Sequence, residues 1–144
     1  MTLNRENPDD RLTTRKGYER FPRVAAALAG LTLIALGLWA FLDPRSFFEQ
    51  LATWPPYNQH FLHDLGALQV GLGAVLVLAV ISRDVLVVAL GGVGIGSAMH
   101  ALAHVIDRGE GGRDSDPFVF GILALILLAA AWYRRGALRR ERDW

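Results

Sequence analysis

The chain contains no cysteine, which excludes disulfides, thiolate nucleophiles, zinc ribbons and iron–sulfur ligation. It is also short of charge: Asp, Glu, Lys and Arg make up 20% of its 144 residues, against about a quarter in an ordinary soluble domain. The charge that is present is segregated. Arg dominates the first 23 residues and the last 11, while long stretches between carry almost none. This distribution excludes a disordered chain, a nucleic-acid binder with a basic face and most soluble enzyme folds. Apolar residues, by contrast, are abundant at 52%, with mean hydropathy +0.27.

The apolar residues fall into four stretches, 21–42, 61–81, 85–106 and 117–133. A bilayer core of ~30 Å needs about 20 helical residues. The first three stretches reach that length, and the fourth suffices if it stands upright. Open strands are excluded, because lipid leaves their backbone groups without partners. Asp43-Pro44 closes the first stretch and Asp116-Pro117 opens the fourth, as cap and first-turn proline. Only Ser82-Arg83-Asp84 joins spans two and three, which predicts a tight antiparallel hairpin at the centre of the bundle. The first stretch is too long for a signal peptide and lacks a small-x-small site, so it reads as a retained anchor. The predicted fold is an all-α, four-helix transmembrane bundle spanning 21–134. Residues 1–20 form a flexible cytoplasmic tail and 135–144 a basic one.

Orientation follows from the basic residues. Twelve of the fifteen Lys and Arg lie in the two tails, at Arg23, at Arg134 or in the turn at Arg83; Arg45, Arg108 and Arg113 fall on the other side. The positive-inside rule then places both termini in the cytoplasm, with Trp132 and Tyr133 in the inner aromatic belt and Trp39 and Phe41 in the outer one. In the first outer loop, Phe47, Phe48, Leu51 and Trp54 recur at near-helical spacing. That pattern predicts a short amphipathic helix lying in the interface, ahead of a lid over the mouth of the bundle. The second outer loop, 107–116, is Gly-rich and acidic without calcium-loop spacing, and reads as a solvated connection.

All four histidines lie at the outer ends of spans two and three: His60 and His63 with Asp64, and His100 and His104 with Asp107. His100 is the deepest ionisable group, six residues inside Ile106, or roughly 9 Å. His100 and His104 share one helix face, with Asp107 at its end and Ser97 and Gly96 continuing it inward. His60 and Asp64 share a face that continues through Ala67 and Gly71. Small residues let membrane helices approach closely, so packing of these two stripes brings the imidazoles and carboxylates together. Gly30, Gly37 and Gly73 read as further packing positions, and Gln69 as an interhelical hydrogen-bonding group.

Three readings fit this cluster. The groups hydrogen-bond one another and fix the bundle; or they line a small-ligand or proton-handling pocket; or they hold a metal, or a haem with His63 and His100 as axial ligands. Transport is disfavoured, because no ionisable group reaches the bilayer centre.

The segment PYNQHFLHDLGALQVGLGAVLVLAV, following a span that ends in Asp43-Pro44, resembles the small four-helix bacterial membrane proteins of the DoxX-like kind. The resemblance covers about residues 24–134. Its most specific pieces are His63-Asp64-Leu65-Gly66, Gly71 with Gly73, and His100-x3-His104. It implies a multi-pass protein of the bacterial plasma membrane in a group loosely associated with redox or thiol-stress complexes; a thiol-based role does not extend to a cysteine-free chain. The functional expectation is a membrane protein whose His/Asp cluster near the outer face binds a small ligand or metal in an accessory or subunit role. The alternatives are a metal- or haem-dependent membrane enzyme, and a scaffold for partner helices with no ligand site. The expected partners are the lipid bilayer and a second copy or a membrane partner protein, not nucleic acid.

Overall fold

The computed structural model describes residues 8–82 and 85–142, with side chains between 20 and 140. Five helices follow in order: α1 Pro8–Leu42, α2 Pro44–Gln50, α3 Gln59–Val80, α4 Leu86–Ile106 and α5 Asp116–Arg142. α1, α3, α4 and α5 each contain a segment long and apolar enough to cross a membrane. Only 22% to 33% of the residues in these segments are buried within the protein. Their remaining surface, including Leu28, Leu68, Leu78, Val88, Ile95 and Leu125, points outward, as a lipid-facing helix requires.

Two expected boundaries move. The tail assigned to residues 1–20 is helical from Pro8, since α1 runs without a break through Pro22; residues 1–7 lie outside the described residues. The C-terminal tail is likewise helical to Arg142. Its Arg, Ala and Leu residues are strong helix formers, so α5 continues past the apolar run 117–133 into the basic segment.

The largest departure is in which helices pair. α1 packs along α3 and α4 packs along α5, while α1 and α5 join the two pairs. The α1–α3 seam is built on glycine. A Cβ placed on Gly30 would lie 2.8 Å from the Gly73 carbonyl oxygen, and one on Gly37 would lie 2.7 Å from that of Gly66. The reverse contacts, Gly66 to Gly37 and Gly73 to Gly30, close to 2.6 and 2.5 Å. Each helix thus carries two glycines seven residues apart, and the antiparallel arrangement sets them backbone against backbone. In the other pair, Gly94 receives Leu127 and Leu128 of α5.

The expected central hairpin of α3 and α4 is therefore corrected. Their short connection holds them together near the turn, but their close-packing faces turn toward α1 and α5. Between them lies an open apolar groove lined by residues such as Leu72, Val75, Val88 and Gly92. Gly71 and Gly96, read as packing positions, face open space, whereas Gly66 takes part in the seam. Ala67 is exposed, and Ser97, though buried, donates to the Val93 carbonyl of its own helix at 2.9 Å. Gln69 lies beside Gly37 with a buried Oε1 that has no hydrogen-bond partner among the described residues.

Two apolar clusters close the ends. Ala26, Leu76, Leu86, Leu90, Leu127 and Ala130 fill the basic end, where Phe21 meets Tyr133 edge to face at 6.0 Å. Ala40, Phe47 and Leu62 fill the histidine end. There α2 starts on an Asp43 side chain that accepts the Ser46 backbone N–H at 3.1 Å. The Asp43→Ala variant is expected to lose about 1 kcal/mol of local stability, raising amide exchange over Phe47 to Gln50 roughly fivefold as measured by hydrogen exchange.

Candidate functional site

His100 and His104 stand one turn apart on α4, so their imidazoles project from one face. Their Nε2 atoms lie 3.1 Å apart. Two residues one turn apart on α5 meet them in antiparallel register. Phe120 stacks on His100 at 3.9 Å between ring centres and 23° between planes, and also faces His104 at 5.1 Å and 13°. Asp116 brings Oδ2 to 3.8 Å from His104 Nδ1. The same carboxylate oxygen accepts the backbone N–H of Arg113 at 2.9 Å, which fixes the start of α5. The two side chains are well covered, His104 at 11% exposure and Asp116 at 19%.

The cover comes from both loops. α2 is pinned by Phe47, which packs edge to face on Trp39 at 5.3 Å and is buried. Beyond it Phe48 meets Tyr57 at 5.3 Å, and the Arg45 guanidinium sits 4.9 Å above the Tyr57 ring. With both ends of the loop held, Trp54 reaches inward and meets His104 at 5.5 Å. The second loop closes over the indole. Gly111 and Gly112 adopt φ of 134° and 78°, a region that L side chains rarely enter. A Cβ on Gly112 would come within 2.7 Å of the Trp54 ring, and one on Gly111 within 2.9 Å of the Thr53 carbonyl. The Arg113 guanidinium donates to the Gln50 carbonyl and ties the loops together. The first loop thus carries a short helix, as expected, but α2 ends at Gln50, and Trp54, expected on its apolar face, folds over the mouth instead. The second loop is exposed over most of its length, as expected of a solvated connection, and clasps the first loop through Gly111, Gly112 and Arg113.

The remaining sequence-derived candidates are dispersed. His60 and Asp64 form an exposed pair on α3 at 3.5 Å, with exposures of 87% and 64%. His63 turns toward Phe41 of α1 at 5.1 Å. Asp107 is exposed at the end of α4, its backbone N–H donating to the Ala103 carbonyl. The α3 and α4 groups do not come together, because each helix packs against a different partner. The carboxylate beside the histidine pair is Asp116, whose place before Pro117 is already accounted for by helix initiation. Trp54 and Phe120 were also missed as site residues; the matching i, i+4 spacing of Asp116–Phe120 and His100–His104 is the signal that links the helices. Among the described residues no three His, Asp or Glu side chains gather as a complete metal-ligand set.

Chemically the arrangement offers two imidazole nitrogens facing each other and a carboxylate behind one of them. Phe120 lies against both rings and the Trp54 indole covers His104, while His100 stays exposed. Asp116 stands on the Nδ1 side of His104, and His104 Nε2 faces His100 Nε2. Comparison with protein-family models, with curated proteins and with solved structures finds no match to this chain.

Proposed function

We propose that this chain is a multi-pass protein of a bacterial plasma membrane, similar to the DoxX-like group. Both termini face the cytoplasm, and the histidine end opens outward as a small-ligand site in an accessory or subunit role. The observation that carries this reading is the closure of Trp54 and the Gly111-Gly112 clasp over His104. Two loops shaped around one indole, above a histidine pair with its own carboxylate, are more than a helix contact requires. The bias of Arg toward the two tails and Arg23 supports the orientation.

The absence of cysteine makes the orientation directly measurable. In intact cells a membrane-impermeant maleimide is expected to label the Asp114→Cys variant, and to label Ala137→Cys only after permeabilisation. The opposite pattern turns the histidine end to the cytosol and removes the reading. For the covered site, carbethoxylation followed by mass spectrometry is expected to modify His104 several-fold more slowly than His60, in keeping with exposures of 11% and 87%. Equal rates mean that the loops give no cover.

A further inference from the structure

Two histidine rings set as His100 and His104 are can face each other for a hydrogen bond or for a shared ion. Their ring centres are 4.9 Å apart and their Nε2 atoms 3.1 Å apart. The rings therefore close on each other toward Nε2. The ring planes lie 26° apart, and the two nitrogens are close enough for both to reach one ion at the Zn–N distance of about 2.0–2.1 Å. Around one ion at that distance, the 3.1 Å separation falls between the values of about 2.9 Å and 3.3 Å set by square-planar and tetrahedral angles.

The surroundings serve the same end. Asp116 lies 3.8 Å from Nδ1, on the far side of the His104 ring from Nε2, the side from which a carboxylate orients a ligating imidazole. Phe120 lies against both rings and limits their rotation away from a common point. The α4–α5 pair holds all four residues on two rigid helices.

We propose that His100 and His104 chelate one divalent transition-metal ion of the imidazole-preferring class, such as Zn(II), through their Nε2 atoms. Asp116 acts as the positioning carboxylate and the remaining coordination positions are open to water or a small ligand. The proposal rests on the reading above that the histidine pair, covered at His104, is a ligand site, and it names what that site takes.

The test uses full-length, tag-free protein in detergent, titrated calorimetrically with Zn(II). The expected result is one saturable ion per chain. X-ray absorption at the zinc edge of the wild-type complex should show two imidazole nitrogens at about 2.0 Å, a readout that needs no variant to fold. His100→Ala and His104→Ala are each expected to lose the ion, Asp116→Asn to weaken it about tenfold, and His60→Ala and His63→Ala to leave it unchanged. Absence of saturable binding overturns the proposal, as does binding that survives His104→Ala or disappears in His60→Ala. Carbethoxylation without metal separates the two readings. If zinc fails to bind while His104 stays protected relative to His60, the metal assignment alone falls. If zinc fails and His104 is freely modified, the covered site falls with it.

Discussion

Leucine in place of Gly37 is expected to abolish assembly of the bundle, while leucine in place of Gly71 leaves it intact. Both substitutions put the same side chain on an apolar stretch, so hydropathy and helix propensity rise equally in the two variants. The difference lies in what the first carbon meets. At Gly37 a Cβ falls 2.7 Å from the Gly66 carbonyl oxygen and 2.8 Å from the Val70 amide nitrogen; at Gly71 it meets nothing within 4 Å. Overpacking a core commonly costs about 1–3 kcal/mol when side chains can give way. Here the obstacles are backbone atoms of a neighbouring helix, so the cost lies at or above about 3 kcal/mol. The check is thermal unfolding and size-exclusion behaviour of detergent-purified protein. Equal tolerance of the two leucines would mean that α1 and α3 do not meet along this seam.

The same seam explains what was legible in the sequence. Membrane-length apolar runs bounded by Asp-Pro and a short polar turn are a one-dimensional signal, and all four appear as helices. The choice of partner is two-dimensional. Gly71 and Gly73 lie about 200° apart round α3 at 100° per residue, so they serve opposite faces, and composition says nothing of which face is used. The informative fact is a matched interval: Gly30 and Gly37 on one helix, Gly66 and Gly73 on the other. A short connection between α3 and α4 suggested neighbours but fixed only their adjoining ends.

The candidate site divides in the same way. His100 and His104 were legible as a pair, because i, i+4 spacing alone puts them on one face. Their partners were not. Asp116 already had a sufficient explanation in helix initiation, and Trp54 in the preference of indoles for a membrane interface. Asp116 stands in the first turn of α5 as expected, and both residues also reach His104. The extra contact depends on α5 lying beside α4, a pairing that sequence spacing left open.

Valine in place of Gly112 is expected to open the site without dismantling the bundle. The backbone there has φ of 78°, a conformation in which a β-branched residue is an outlier and costs roughly 1–2 kcal/mol. The added atoms also meet the Trp54 ring at 2.7 to 2.9 Å. Loop and indole therefore have to part, and relief comes through the loops, since the α1–α3 and α4–α5 seams do not involve this residue. Carbethoxylation of His104 should then approach the rate of His60, while the helical signal and the cooperative unfolding of the bundle persist. Trp54→Ala supplies the complementary case: it uncovers the same imidazole without backbone strain at Gly112. If His104 remains protected in both variants, its cover comes from α5 alone and the loops are not a lid. If only Trp54→Ala exposes it, the indole covers the histidine and the glycine clasp does not hold it there.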